Sequence, residues 1–150
     1  MSIFLNNQVG FKLQSSTTGT VTYQDLSDHV ESITITRQFD ELDVTAMGDT
    51  GHRFIKGLES STITVNFFND DATSSVLATL QSQWGTNSAF KIVQTQTGGS
   101  ATISATNPLY SGLILVNKTT DVNGKVGDVS QQQITFTVSG AITVSTTGTW

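Results

Sequence analysis

Along much of this chain apolar and polar positions alternate one by one. Residues 30–37 set Ile33 and Ile35 against Thr34 and Thr36; residues 61–68 set Ile63, Val65 and Phe67 against Thr62, Thr64 and Asn66; residues 133–138 set Ile134, Phe136 and Val138 against Thr135 and Thr137. A period of two points successive side chains to opposite faces of a strand, so each of these segments predicts one apolar face and one Thr-rich face. Sheets buried on one side only carry that pattern. Residues 9–14 and 20–26 predict two further strands around a loop at 15–19, and residues 90–95, 102–105, 109–116 and 141–145 are additional strand candidates. The run Leu113-Ile114-Leu115-Val116 is apolar on both faces and predicts a central strand covered on both sides. Asn123-Gly124 can take the positive backbone angles of a type I′ turn, which predicts a tight antiparallel hairpin between its flanks. The expected fold is mainly β: an antiparallel β-sandwich or barrel with one flanking α-helix.

That helix follows residues 61–68. Asp70 or Asp71 is placed to cap it, Thr73, Leu77, Leu80 and Trp84 fall on one stripe, and Gly85 is placed to end it in a left-handed conformation. Trp84 is therefore expected in the core. Residues 39–57 break the strand rhythm and are too long for an ordinary connection. Left disordered, they would expose Leu42, Val44, Met47, Phe54 and Ile55. The expectation is an ordered excursion whose apolar side chains meet a partner.

Composition sharpens this picture. At 150 residues the chain is read as one domain, 1–150. Charged residues are 13 % of the chain, and Ser and Thr together are roughly a quarter. Thr suits a pleated surface, and a charge-poor polar face is covered by a partner at little desolvation cost. Charges ordinarily keep surfaces apart, so their scarcity favours a protein that lives in contact with its own copies. The net charge of −5, with the basic residues scattered singly, argues against tight DNA or RNA binding. No apolar run reaches the length of a membrane span, and the N-terminus lacks the basic start and apolar stretch of a secretory signal. Cysteine is absent, so no disulfide forms.

Candidate chemistry is sparse. His29 and His52 stand apart with no cysteine, short of the three or four ligands a zinc site needs, and are read as loop histidines. Asp121-Val-Asn-Gly lacks the closing Glu of a calcium loop, since position 132 is Gln. Gly98-Gly99 lacks the following Lys of a phosphate loop, and no Gly-x-Ser-x-Gly elbow occurs. Asp40, Glu41 and Asp43 sit in the long excursion without signs of desolvation and are read as solvated or interface charge. No catalytic residue, metal ligand or cofactor is expected. Trp150 is either an anchor into a neighbour or a frayed end.

Two blocks carry a family resemblance. The first is Thr45-Ala-Met-Gly-Asp-Thr-Gly-His-Arg-Phe-Ile-Lys-Gly-Leu58, followed by the strand at 61–68 and the acidic residues that open the helix. The second is the stretch 104–112, then Gly124-Lys-Val-Gly-Asp128, then the closing strand 133–140. With the order of elements, these make the chain resemble the major tail tube proteins of long-tailed, siphovirus-type bacteriophages, whose fold recurs in type VI secretion tubes and contractile tails. The resemblance implies a virion structural protein, assembled in the cytoplasm of a host bacterium, whose six-membered rings stack into a hollow tube that conducts DNA. It implies that the excursion is a ring-stacking arm, with Asp40, Glu41, Asp43, Val44, Met47, Asp49, Arg53, Phe54 and Ile55 at the contact; Arg53 is read either as pairing with an acidic residue of the next ring or as a simple surface Arg. It also implies partners: further copies of the chain, a tape measure protein and tail-end proteins, with genomic DNA passing and not held.

Charge agrees with that passage, because six chains would give a ring of roughly −30, a wall of the same sign as DNA. The Thr faces, Thr62/Thr64/Asn66 and Thr135/Thr137, are candidates to line the lumen or to face a neighbour. Three other readings compete: a different virion ring or knob such as a terminator or decoration protein, a carbohydrate-binding β-sandwich, and an enzyme of unrecognised class. The sugar-binding reading needs exposed aromatics around a groove, and the aromatics here fall mostly on predicted core faces. The enzyme reading lacks any acid–base constellation.

Overall fold

A computed structural model describes residues 8–16 and 18–150. The N-terminal stretch considered as a leader, residues 1–7, and Thr17 of the first loop lie outside the described residues. The chain runs β1 (Gly10–Gln14), β2 (Tyr23–Asp25), a 3-10 turn at Ser27–His29, β3 (Val30–Thr36), β4 (Phe39–Asp43), β5 (Phe54–Glu59), β6 (Thr62–Phe68), α1 (Val76–Ser82), β7 (Asn87–Val93), β8 (Leu109–Leu115) and β9 (Gln131–Ser145). Seven strands form one sheet in the order β2-β1-β7-β8-β9-β6-β3, and β4 and β5 form a separate two-stranded ribbon. Every pairing is antiparallel.

The sheet curls over on itself. Phe11 of β1 and Phe67 of β6 are four places apart in strand order, yet their ring centroids lie 5.8 Å apart. The inward faces of β1, β6, β7, β8 and β9 thereby meet in one core around Phe11, Phe67, Phe90, Ile114, Ile134 and Phe136. The alternation seen in the sequence is reproduced: Ile63, Val65 and Phe67, and Ile134, Phe136 and Val138, all point inward and are buried. The curl does not close, because β2 and β3 remain as free edges. No described helix is long and apolar enough to cross a membrane.

β9 makes the curl possible. Its first half pairs with β6, from Gln131↔Phe68 to Thr137↔Thr62, and its second half pairs with β8, from Leu115↔Thr137 to Leu109↔Ser145. Register slips between Ser111 and Leu113 on β8, opposite Gly140 of β9, which has φ +90°. Bulges of this sort bend a strand and raise its twist. Glu59, at the end of β5, fastens the bend: its Oε1 accepts the N–H of Ile142 at 3.2 Å and the hydroxyl of Ser61 at 3.1 Å, with Arg37 at 3.9 Å.

Several expectations are corrected. Asn123-Gly124 does not close a tight hairpin: β8 and β9 do pair, but a long loop spans 116–130, and its positive φ belongs to Gly127 at +85°. Residues 102–105 form no strand: Thr102 and Ile103 are irregular, and Ser104 opens a turn bridged to Asn107. β8 is central, yet only one of its faces is covered. Ile114 and Val116 are buried and Leu113 is 42 % exposed. The helix begins at Val76 after Ser75, so Thr73 precedes it. Asp70 organises the preceding turn, accepting the N–H of Ala72 at 2.8 Å, and does not cap the helix. The buried stripe is Val76, Thr79 and Leu80, and Trp84 is 54 % exposed. Gly85 does take the left-handed conformation, at φ +75°. Trp150 neither frays nor projects outward. It folds back against Gly10, with Lys12 Nζ 4.4 Å from its ring, while Lys91 donates to the Thr149 carbonyl at 3.0 Å.

The bend at Gly140 predicts a backbone cost. Gly140→Ala places a Cβ at a left-handed φ and is expected to lower stability by about 1–2 kcal/mol, seen as a lower urea midpoint at unchanged slope. An unchanged midpoint contradicts the strain.

Candidate assembly interface

The excursion is a β-hairpin that stands clear of the sheet. β4 and β5 pair through Glu41↔Lys56, Leu42↔Ile55 and Asp43↔Phe54, with a bulge between Phe39 and Glu41. Leu42 and Ile55 share one face of the ribbon, and Asp43 and Phe54 share the other. Apolar side chains therefore lie on both faces, and Phe39, Leu42, Val44, Met47, Phe54, Ile55 and Leu58 are all exposed. An isolated two-stranded ribbon is marginal in water, since neither face is covered.

Local polar contacts keep its tip in shape. Asp43 accepts the N–H of Thr45 at 2.8 Å and the Thr45 hydroxyl, with His52 Nδ1 at 3.4 Å, and these bonds hold the Asp43 carboxyl below its ordinary range. Asp49 accepts the N–H of Ala46 at 2.9 Å and donates its own N–H to the Ala46 carbonyl at 3.1 Å. Gly48, at φ +99°, occupies the third position of that four-residue turn, the place a type II turn reserves for Gly. Met47 is left at the summit, 106 % exposed. Arg53, read as pairing across rings or as a simple surface Arg, lies 3.9 Å from Asp49 of its own hairpin. Of the nine arm residues singled out by sequence, all lie on this one projection. Asp40 and Glu41 have no ion-pair partner within 4 Å among the described residues.

The Thr residues form a second surface. Registers align Ser32–Asn66–Gln133, Thr34–Thr64–Thr135 and Thr36–Thr62–Thr137 as three rows across β3, β6 and β9. Thr62, Thr64 and Asn66 are half-buried in this lattice, and Thr135 and Thr137 are exposed. Thr64 and Thr135 hydroxyls meet at 3.0 Å. No aliphatic or charged side chain occupies these nine positions. The Asn66 Oδ1 is shielded from solvent with no hydrogen-bond partner. Beside the free edge of β3 lies an open, mainly apolar seam of about 390 Å³, lined by Val9, Ile33, Ile35, Ile92, Val93 and Tyr110 with Arg37 and Gln94 at its polar side, where the curl fails to close.

At the far end of β6 the helix turn is clasped to the 3-10 turn. His29 Nδ1 lies 2.7 Å from Asp28 and Nε2 lies 2.8 Å from Asp70. Two carboxylates accept and do not donate, so this geometry suits the doubly protonated imidazolium. Partial burial lowers the His29 pKa, but the hydrogen bonds to Asp70 and Asp28 and their charges outweigh it and leave it raised. The Asp70 carboxyl is lowered, by the Ala72 N–H first and by His29 second. Glu59 is also lowered, chiefly by the Ile142 N–H. His29 is thus the loop histidine expected, put to structural use. Among the described residues no three His, Cys, Asp or Glu side chains converge as a metal site.

Sequence reasoning missed two features. Glu59 and Arg37 at the arm's base carry no motif and are found only through the β9 bulge. The loop at 117–130 exposes Val122, Val126 and Val129. Reading Asn123-Gly124 as a tight turn hid them, although three valines in a polar stretch were the signal.

No sequence-family model and no curated protein sequence matches the chain. Solved structures do match in fold. A chain of the tail of an empty gene transfer agent (GTA) particle, refined helically with C6 symmetry, superposes with TM-score 0.64 at 15 % identity, over 96 % of this chain and 99 % of that one. A chain of the native GTA virion gives 0.63 at 12 % identity, over 90 % and 95 %. A chain of the six-fold symmetrised baseplate of the anti-feeding prophage gives 0.59 at 6 % identity, over 96 % of each. The fold is therefore one that phage-like tail particles contain, mainly antiparallel β with an open sheet and one helix.

The clasp predicts a pH dependence with a definite sign. A raised His29 adds stability that is complete below the unfolded imidazole range and is lost as pH climbs through the folded value. A lowered Asp70 adds stability that is lost as pH falls below the carboxylate range. The clasp is therefore strongest between about pH 4 and 6.5. His29→Asn is expected to flatten the loss of stability that native protein shows between pH 6 and 8 in thermal melts. An equal slope in both proteins contradicts the assignment.

Proposed function

We propose that this chain is a structural subunit of a phage-like tail, and more narrowly the tail tube protein. Six copies form a ring and rings stack into a hollow tube through which DNA leaves the particle. The observation that carries this reading is the exposed ribbon β4–β5, apolar on both faces and fixed to the β9 bend by Glu59, on a fold shared with chains of tail particles. A second copy completes what the ribbon lacks. The six-fold symmetry in the descriptions of the matched particles supports the ring number.

In this reading the whole chain acts as one tail-tube domain carrying its stacking arm, and it belongs to the virion tail after assembly in the bacterial host. Neighbours within a ring cover the free edges of β2 and β3 and the apolar seam. The Thr lattice faces the lumen, where hydroxyls and amides on an acidic protein give passing DNA no cationic station to hold it. A tape measure protein and tail-end proteins are the further partners. The role is structural, without catalysis or cofactor. A second reading, a single ring at the tail's end, draws on the likeness to the baseplate chain.

Electron microscopy of purified protein distinguishes these. The intact chain is expected to form long hollow polymers, and a chain with residues 41–56 replaced by a short Gly-Ser turn only rings or protomers. Rings alone from the intact chain favour the tail-end reading, and long tubes from the shortened chain contradict the arm's role.

A further inference from the structure

The arm's target on the next copy can be read from the same molecule. Strand β6 begins at Thr62, three residues after the arm ends at Glu59, and finishes at Phe68, beside the loop at 117–130. Asn69 binds that loop from the strand's end: its N–H donates to the Ser130 carbonyl at 2.9 Å and its Nδ2 to the Ser130 hydroxyl at 2.9 Å, while Gln132 joins Asn69 to the Thr120 N–H. The loop leaves β8 at Leu115, level with Thr62, and runs to the far end of β6, so the seven residues of β6 separate its anchored part, from Thr120 to Ser130, from the root of the arm by about 20 Å.

The loop repeats the arm's construction. Lys125-Val126-Gly127-Asp128 is a four-residue turn closed from the Asp128 N–H to the Lys125 carbonyl at 3.1 Å, with Gly127 at positive φ in its third position. Its second residue, Val126, is 101 % exposed, as Met47 is on the arm. One pairing of charges is open between them: Lys118 of the loop has no ion-pair partner within 4 Å among the described residues, and neither do Asp40 and Glu41 of the arm, although the loop as a whole is neutral, with Asp121 also unpaired and Lys125 paired to Asp128. Two unlike apolar surfaces on one chain make a head-to-tail contact, and such contacts propagate wherever the rotation between copies does not close a ring.

We propose that the loop at 117–130 is the surface that receives the β4–β5 arm of the next copy, with Val122, Val126 and Val129 packing against the arm's apolar side chains and Lys118 facing Asp40 and Glu41. This rests on the stacking reading above and names the partner surface within it.

The native chain has no cysteine, so single thiols can be placed cleanly. Met47→Cys chains mixed with Val126→Cys chains, polymerised and treated with a short bismaleimide, are expected to give linked heterodimers at least about tenfold above a Met47→Cys with Val21→Cys control. Polymers without that link overturn the loop assignment and leave stacking intact. Failure of the native chain to polymerise under any condition overturns both. Should a thiol substitution itself block polymers, the charge pair decides. Lys118→Glu is expected to shorten tubes, and Asp40→Lys with Glu41→Lys on the same chain to restore them, while no restoration overturns the assignment.

Discussion

One strand serving two partners holds this structure together. β9 leaves β6 for β8 near Thr137 and bends at Gly140, so its two halves carry the two sides of the curled sheet. The bend brings the faces of β1 and β6 together over Phe11 and Phe67. It also produces the Ile142 N–H that Glu59 accepts, so the base of the arm is tied to the element that organises the core. The projection is thus exposed along its length and firmly rooted at one end.

Burial explains why the projection has the character of an unfinished element. The curled sheet buries the inward side chains of β1, β6, β7, β8 and β9, while the ribbon hides neither of its faces. Hydrogen bonds within the turn, Asp43 to Thr45 and Asp49 to Ala46, preserve its shape without covering Phe54, Ile55 or Met47. Polar contacts of this exposed kind are worth little each, whereas covering several large apolar side chains is worth some kilocalories per mole. The balance favours association, and the low charge of the surface does little to oppose it.

The core was legible in the sequence because period-two alternation is a direct record of one-sided burial. Ile63/Val65/Phe67 and Ile134/Phe136/Val138 were placed correctly by that pattern alone, and so was the Thr lattice on their reverse. Features that depend on long-range geometry were not legible. Trp84 fits a helical stripe in sequence, but the helix runs only from Val76 to Ser82, so Trp84 lies beyond its end, and the face turned inward is that of Val76, Thr79 and Leu80. Asn123-Gly124 has the composition of a tight turn, yet polar bonds from Asn69 and Gln132 hold a longer loop, and the left-handed residue is Gly127. The candidate arm was found as an excursion with exposed apolar residues. Its form as a paired ribbon was missed because Phe39–Asp43 mixes charged and apolar residues without a clean period.

The central claim is that the β4–β5 ribbon is incomplete in a lone protomer and is completed by another copy. Amide hydrogen exchange over residues 39–59, compared between free protomers and assembled polymers, tests it most directly. The account predicts rapid exchange in the protomer, against slow exchange in β6 and β9, and strong protection of the ribbon on assembly. A ribbon already as protected as the sheet in the protomer, or one that stays open within polymers, would contradict it.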